Sequence, residues 1–119
     1  MTGQPADECP VETAVNMIGG KWKIIIIARL TRLGRLRFGE LKRSIPQVNE
    51  RMLSRQLREL ENDGIIFRDV YAEVPPRVEY GMLQEGETLI PILNLLAEWG
   101  KRHQQRSINE DLKLGAASL

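Results

Sequence analysis

The stretch Glu50–Asn62 restricts the fold more than any other part of the sequence, because its leucines recur at helical spacing. At 100° per residue the leucines fall within about 60° of one another, and they are Leu53, Leu57 and Leu60. Asn49 is a favoured N-cap residue before this stretch, and Gly64 is a helix-stopping residue after it. The sequence therefore predicts a helix that packs one narrow side against a core.

The opposite side of the same predicted helix is basic. It carries Arg51, Arg55 and Arg58, with Ser54 at its flank. Arginine can donate a bidentate pair of hydrogen bonds to guanine O6 and N7 in the major groove. The alternative is an ordinary surface helix whose arginines pair with acids, yet only Arg55 and Glu59 have the i,i+4 spacing of such a pair. This shortage of acidic partners favours a DNA-contacting face made of the three arginines and the serine.

The predicted helices and strands follow one another in an order typical of a winged helix-turn-helix. Apolar spacing and the positions of proline and glycine define eight elements. The helices are Pro10–Ile18, Lys21–Arg32, Phe38–Ser44, Glu50–Asn62 and Gln84–Arg106, and the strands are Arg35–Arg37, Ile65–Val70 and Val78–Met82. The predicted fold class is mainly α (α+β), a winged helix-turn-helix with an extra helix at each end.

A chain of 119 residues fits a single domain with one hydrophobic core, so one domain is expected over residues 1–119. Its DNA-binding core would cover about residues 21–82. Pro91 should kink the last helix or mark a break in it. Residues 107–119 are expected to fray.

Charge is distributed unevenly along the chain, although the net charge is only +1. Residues 20–58 contain eleven Lys and Arg but two Glu, and the parts on either side are acidic. Local potential, rather than net charge, steers a polyanion. Three further basic residues are candidate contacts to the DNA backbone or minor groove. Lys42 and Arg43 lie on the predicted helix Phe38–Ser44, and Arg77 lies at a hairpin tip that two prolines stiffen. For each of them the alternative is a solvated side chain.

Residues that commonly carry out chemistry are scarce. One His, one Cys and no Gly-rich phosphate loop cannot assemble the usual catalytic constellations, so no enzyme activity, cofactor or metal is expected. The longest apolar run, Ile24–Ala28, is too short to cross a bilayer, and no export signal is recognisable. We therefore expect a cytoplasmic protein with no membrane partner. A winged helix that binds protein or RNA is the competing class.

Six short motifs follow one another along the chain: Cys-Pro-Val-Glu at 9–12, Ile-Gly-Gly-Lys-Trp-Lys at 18–23, Arg-Phe-Gly-Glu-Leu at 37–41, Leu-Arg-Glu-Leu-Glu-Asn-Asp-Gly-Ile-Ile at 57–66, Pro-Pro-Arg-Val-Glu-Tyr at 75–80 and Trp-Gly at 99–100. In that order they resemble the HxlR family of bacterial winged-helix regulators, relatives of the MarR group. Each motif alone is weak, but the ordered set is specific and spans nearly the whole chain.

The sequence departs from the family at Leu83, where a helix-capping threonine is usual, so the last helix is expected to begin later, near Gln84–Glu87. Asn49 also replaces the usual serine or threonine, but it caps equally well.

The resemblance implies a homodimer that binds a pseudo-palindromic operator in double-stranded DNA. It also implies that the dimer interface is formed by the first helix, residues 10–18, and the last, residues 84–106. The expected interface residues are Val11, Val15, Leu89, Leu93, Leu96 and Trp99. The apolar stripe of the last helix agrees with this, since it is too long for so short a domain to cover. The alternative is that the stripe is buried inside one chain.

Cys9 is a candidate redox sensor, because some members of the family resemble thiol sensors with a cysteine just before Pro-Val-Glu. The start of a helix favours a thiolate, whereas Asp7, Glu8 and Glu12 disfavour it. The alternative is a buried cysteine that packs the first helix. Whether the effector is an oxidant or another small molecule is left open by the sequence.

Overall fold

The computed structural model describes residues 9–117, with side chains described as far as residue 112. In chain order the elements are α1 (Pro10–Ile18), α2 (Lys23–Leu33), β1 (Leu36–Arg37), α3 (Phe38–Ser44), α4 (Glu50–Asn62), β2 (Ile66–Tyr71), β3 (Arg77–Met82), α5 (Gln84–Glu87) and α6 (Ile90–Ala117). The predicted winged helix-turn-helix with additional helices is confirmed. The chain divides between Glu87 and Thr88 into two compact units, where the sequence predicted one domain.

The core of the first unit lies among α2, α3, α4 and β2. Burying a Leu or Ile side chain stabilises a fold by about 1.5–3 kcal/mol, and α4 contributes three leucines to this core. The largest fully buried side chains are Ile26, Ile27, Leu41, Ile45, Val48, Leu53, Leu57, Leu60 and Ile66. The leucine stripe of α4 is therefore buried as predicted, and it fixes which side of the helix faces away from the core.

Local capping interactions set the ends of the helix-turn-helix. The backbone N–H of Arg37 donates to Oε1 of Glu40 at 2.8 Å, which satisfies one donor at the start of α3. After α3 the chain turns at Pro46, since proline disfavours helical backbone at the residue before it. The predicted cap of α4 is confirmed, because Asn49 Oδ1 accepts from the Met52 N–H at 2.8 Å.

Three antiparallel strands form a small sheet in the order β1-β3-β2, and β2 with β3 forms the wing. Tyr71 lies opposite Arg77, and Phe67 lies opposite Gly81. The ring of Phe67 occupies the space that a Cβ of residue 81 would need, so a side chain there would require the ring to move. Arg77, predicted at the hairpin tip, is instead the first residue of β3.

The second helix begins two residues later than the sequence predicted. It starts at Lys23 after a turn that contains Lys21 and Trp22, and it ends at Leu33 with Gly34 as its C-cap residue. Gly34 has φ 83°, a backbone conformation that side-chain-bearing residues rarely adopt. Its N–H donates to the Leu30 carbonyl at 3.0 Å, which closes the last turn of α2.

The predicted long last helix is divided into two in the structure. The short α5 belongs to the first unit, whereas α6 makes up the second unit together with residues 88 and 89 before it. Pro91 is the second residue of α6, where its missing N–H costs no helical hydrogen bond, so the predicted break lies just before it. In the structure α6 continues through residue 107 to Ala117, and fraying of the tail stays a prediction. Residues 118 and 119 lie outside the described part of the chain.

No helix within residues 9–117 is both long enough and apolar enough to cross a membrane.

Candidate nucleic-acid interface

The side of α4 that faces away from the core is exposed and basic. Leu53 and Leu57 are at most 2% exposed, whereas Arg51, Arg55 and Arg58 are exposed together with Ser54. The separation predicted from the helical wheel is therefore present in the folded chain. A rigid helix thus presents several polar groups in the same direction.

Two of the three arginines have no acidic partner among the described side chains. Among the side chains that the structure describes, no carboxylate forms an ion pair with Arg51 or with Arg58. Arg55 forms the predicted i,i+4 pair, with its Nε 3.3 Å from Oε2 of Glu59. Since an exposed pair of this kind contributes only about 0.3–0.5 kcal/mol, all three guanidinium groups can reach an external acceptor at little cost.

The arginines surround an open depression of about 630 Å³. Its lining residues are Asn49, Arg51, Met52, Ser54, Arg55 and Arg58. No Asp or Glu is among these residues, so the electrostatic potential in the depression favours an anion. Hydrogen-bond donors with positive charge, next to one hydroxyl, suit phosphate oxygens and the acceptor atoms of a base edge.

A second depression, of about 340 Å³, extends this surface from α4 to the wing. It is lined by Ser54, Arg58, Glu61, Arg68 and Tyr80. Arg68 is exposed on β2 and has no ion pair among the described side chains. Arg68 was not among the DNA-contacting residues predicted from the sequence.

A signal for Arg68 was nevertheless present in the sequence. Alternate residues of a strand lie on the same face, and Arg68 is two residues from Ile66, which is fully buried. It therefore projects from the core face of β2 at the point where that face leaves the core and becomes exposed.

Glu59 links α4 to the interior of the domain through a buried lysine. Its Oε1 lies 2.8 Å from Nζ of Lys23, whose side chain is only 10% exposed. The hydrogen bond from Lys23 is the main cause that holds the pKa of Glu59 below its ordinary value, and Arg55 adds to it. Lys23 was counted in the basic segment of the sequence, but it is buried and paired rather than displayed.

The two basic residues predicted on α3 differ in exposure and in hydrogen bonding within the chain. Arg43 is exposed and lies in the last turn of α3. Lys42 is half-buried, and its Nζ donates to the Pro46 carbonyl at 3.2 Å. Lys42 therefore also supports the turn that leads from α3 to α4.

Arg77 is held within the wing by a group of charged and aromatic side chains. Its guanidinium lies 3.3 Å from Glu73, 3.5 Å from Glu79 and 4.1 Å from the centre of the Tyr71 ring. Its side chain is 28% exposed. Glu79 also approaches Arg35 at 3.5 Å. Because carboxylates already neutralise Arg77, it is less available to an external phosphate than Arg51, Arg58 or Arg68.

The residues predicted for the dimer interface lie on α1 and in the second unit. Val11 and Val15 of α1 are 68% and 56% exposed in the single chain. In the second unit Leu96 and Trp99 are 47% and 63% exposed, whereas Leu89 and Leu93 are half-buried. Four of these six side chains therefore leave most or nearly half of their apolar surface uncovered, which is typical of surfaces that another protein covers.

Cys9 is the N-cap residue of α1, and it is exposed. The alternative of a buried cysteine that packs α1 is therefore wrong for the single chain. Asp7 and Glu8, the acids expected to disfavour a thiolate, lie outside the described residues.

Within the described residues, no group of three or more His, Cys, Asp or Glu side chains is placed to hold a metal ion.

Comparison with known proteins links this geometry to a group of regulators. The model of the HxlR-like helix-turn-helix family matches residues 17–108. An HTH-type transcriptional regulator of Methanothermobacter thermautotrophicus is 55% identical over 102 residues, which cover 83% of this chain and 77% of that relative.

Two solved structures are similar along most of their length. The structure of the HTH-type transcriptional regulator ytcD has a TM-score of 0.78 and 47% identity, and the match covers 82% of this chain and 99% of that one. The oxidised form of the redox regulator HypR has a TM-score of 0.75 and 49% identity, with coverage of 79% and 96%.

Proposed function

We propose that this chain, which belongs to the HxlR-like helix-turn-helix family of transcriptional regulators, binds a pseudo-palindromic operator in double-stranded DNA as a homodimer. The observation that carries the proposal is the exposed arginine face of α4. That face is fixed by a buried leucine stripe, and two of its arginines have no acidic partner within the described residues.

In this proposal α4 is the recognition helix and enters the major groove. Arg51 and Arg55 lie nearer its N-terminal end, which usually contacts the base edges in a helix-turn-helix. Each can donate two hydrogen bonds to a guanine. Ser54 lies between them in sequence and contacts a base or a phosphate.

The remaining basic residues position the domain on the DNA backbone. Arg58 and Arg68 line the depression between α4 and β2, so a phosphate there would contact both guanidinium groups. Lys42 and Arg43 belong to α3, the helix that crosses the backbone in this geometry. Arg77 is proposed as a wing contact of smaller contribution, because a phosphate would have to compete with Glu73 and Glu79.

The apolar side chains that α1 and α6 expose support the proposed dimerisation. Covering apolar surface contributes about 25 cal/mol per Å², so Val11, Val15, Leu96 and Trp99 together favour association with a second copy. Leu89 and Leu93 are proposed as flanking parts of the same interface. Two recognition helices would then contact half-sites about 34 Å apart, which a pseudo-palindromic operator provides.

Response to a thiol oxidant is the finer part of the proposal. The similar protein HypR is named a redox regulator, and Cys9 of this chain is exposed. With one cysteine in the given sequence, any disulfide must join Cys9 to the Cys9 of a second chain or to a small thiol. Each disulfide formed this way releases two protons and two electrons, which an oxidant such as diamide accepts. A non-covalent small-molecule effector is the alternative.

The experiment that tests DNA binding is selection from a pool of randomised duplexes, followed by affinity measurements on the enriched sequence. We expect enrichment of a two-fold related sequence, and an affinity that falls steeply with salt because phosphate contacts release counterions. A hairpin RNA of equal length is the matched competitor. No enrichment, or equal binding to the RNA, would contradict the proposal.

A further inference from the structure

We propose that Glu59 is a positioning residue that orients the guanidinium of Arg55 for contact with a base, and that the buried Lys23 holds Glu59 in place. This role rests on the proposed function of α4 in reading DNA. It assigns to Lys23 and Glu59 a part in sequence recognition, although Lys23 is too deeply buried to touch the DNA.

The geometry divides the two oxygens of Glu59 between two cations. Oε1 accepts from Nζ of Lys23 at 2.8 Å, and Oε2 accepts from Nε of Arg55 at 3.3 Å. Contact through Nε leaves both terminal nitrogens of Arg55 without a hydrogen-bond acceptor among the described residues. The two terminal nitrogens, which can donate to guanine, therefore stay available while Nε of Arg55 is held by Glu59.

Lys23 supplies the rigidity that an ordinary surface pair lacks. Long side chains lose rotamer freedom when they pair at the surface, and this loss cancels most of the gain. A nearly buried ammonium cannot exchange its carboxylate partner for water without a large penalty, so Lys23 keeps Glu59 in one position. Glu59, at 39% side-chain exposure, then reaches from the interior to Arg55.

Orientation before binding matters because an arginine loses conformational freedom when it is fixed against a base. Immobilising a side chain that is rich in rotamers weakens association. An Arg55 that is already restrained avoids part of this loss. The arrangement favours the correct base more than it favours DNA in general, since a carboxylate close to the groove repels phosphate.

Removing the charge of Glu59 has different expected effects on DNA binding if the carboxylate positions Arg55 and if it only repels phosphate. Removing the charge of Glu59 should raise the affinity for any duplex if the carboxylate acts only by repelling phosphate. It should lower the preference for one base pair if the carboxylate orients Arg55.

The test uses Glu59→Gln, which keeps the shape of the side chain. If the amide oxygen of the new side chain accepts from Lys23, its NH₂ group faces Arg55 and cannot accept from it. Affinities are measured on the duplex selected by the wild type and on its single base-pair variants, for the wild type, Glu59→Gln, Arg55→Ala and the double variant. Glu61→Gln, which removes an equal charge from an exposed position of the same helix, is the matched control.

We expect Glu59→Gln to reduce the base preference about two- to tenfold at the position that Arg55→Ala also affects. In the Arg55→Ala background it should change nothing further at that position. Glu61→Gln should alter the affinity for all duplexes alike. Lys23→Met, which removes the anchor but fills its space, should act at the same position as Glu59→Gln, with the fold checked by circular dichroism.

Two results overturn this role while the proposed function stands. In the first, the wild type selects a sequence and the Glu59→Gln variant keeps the full base preference on it. The other is a loss of preference that is equal with and without Arg55, since this would make Glu59 merely structural. A wild type that selects no sequence would overturn the proposed function and this role together.

Discussion

Replacing Arg51 with alanine should separate DNA recognition from folding more cleanly than any other single change on α4. Arg51 is exposed and forms no ion pair with a described side chain. Alanine is at least as good a helix former as arginine. The free energy of unfolding should therefore change by less than about 0.5 kcal/mol.

The loss in DNA binding should be much larger. A bidentate arginine–guanine contact discriminates against a wrong base by about 1–3 kcal/mol. The proposed homodimer has two copies of α4, so both half-sites lose the contact. This corresponds to about 2–6 kcal/mol per dimer, a decrease in operator affinity of at least about thirtyfold.

Fluorescence anisotropy on the selected operator and on its single base-pair variants measures this effect. The base preference should flatten at one position in each half-site, symmetrically about the centre. Arg32→Ala is the matched control, because it removes an equal charge from an exposed position on α2 that lines neither depression. If Arg51→Ala keeps the base preference at every position, or behaves like Arg32→Ala, the placement of α4 in the groove is refuted.

Four other predictions follow from the same structure. Leu57→Ala should lower the free energy of unfolding by about 2–5 kcal/mol in urea titrations at fixed protein concentration, because Leu57 is 2% exposed; a loss below about 1 kcal/mol would contradict its place in the core. Leu96→Asp should give monomer or aggregate on size-exclusion chromatography and loss of operator binding, since it places an unpaired charge in an apolar surface; a dimer that still binds DNA would rule out this interface. The pKa of Glu59 is lowered from its ordinary value of 4.5 in the folded chain, so the stability that its carboxylate contributes is present above that pH and is lost as the pH falls through the folded pKa. The difference in free energy of unfolding between the wild type and Glu59→Gln should therefore shrink below pH 4.5. A difference that stays constant down to low pH would be inconsistent with the Lys23–Glu59 pair. Diamide should produce a linked dimer or a mixed disulfide and altered operator affinity, both abolished by Cys9→Ser; an unmodified Cys9 would point to a non-covalent effector.

Much of α4, the proposed recognition helix, could be predicted from the sequence, because its signals are local. The spacing of Leu53, Leu57 and Leu60 fixes which side of α4 faces the core, and this requires only the helical repeat. Asn49 caps the helix because its Oδ1 accepts from the N–H of Met52, which is only three residues later in the chain. The exposure of Arg51 and Arg58 then follows, since they lie opposite the leucines.

Helix and strand boundaries were less certain, because they depend on contacts that periodicity does not describe. The apolar spacing around Pro91 allowed either a kinked helix or a break, and the folded chain has a break just before it. Arg77 was expected at the hairpin tip, but pairing with Tyr71 places it in β3. Register of this kind is decided by the partner strand and not by the strand's own sequence.

The helix-turn-helix order and the basic face of α4 were predictable from the sequence, since each depends on residues close together in the chain, and the ordered motifs were enough to indicate the HxlR family. The folded arrangement of the elements was needed to show what each charge does. It buried Lys23 against Glu59, neutralised Arg77 within the wing and placed Arg68 beside Arg58. The physical reason is that an ion pair or a shared depression joins side chains from different elements, and the distance between those elements is set by packing of the core rather than by spacing along the chain.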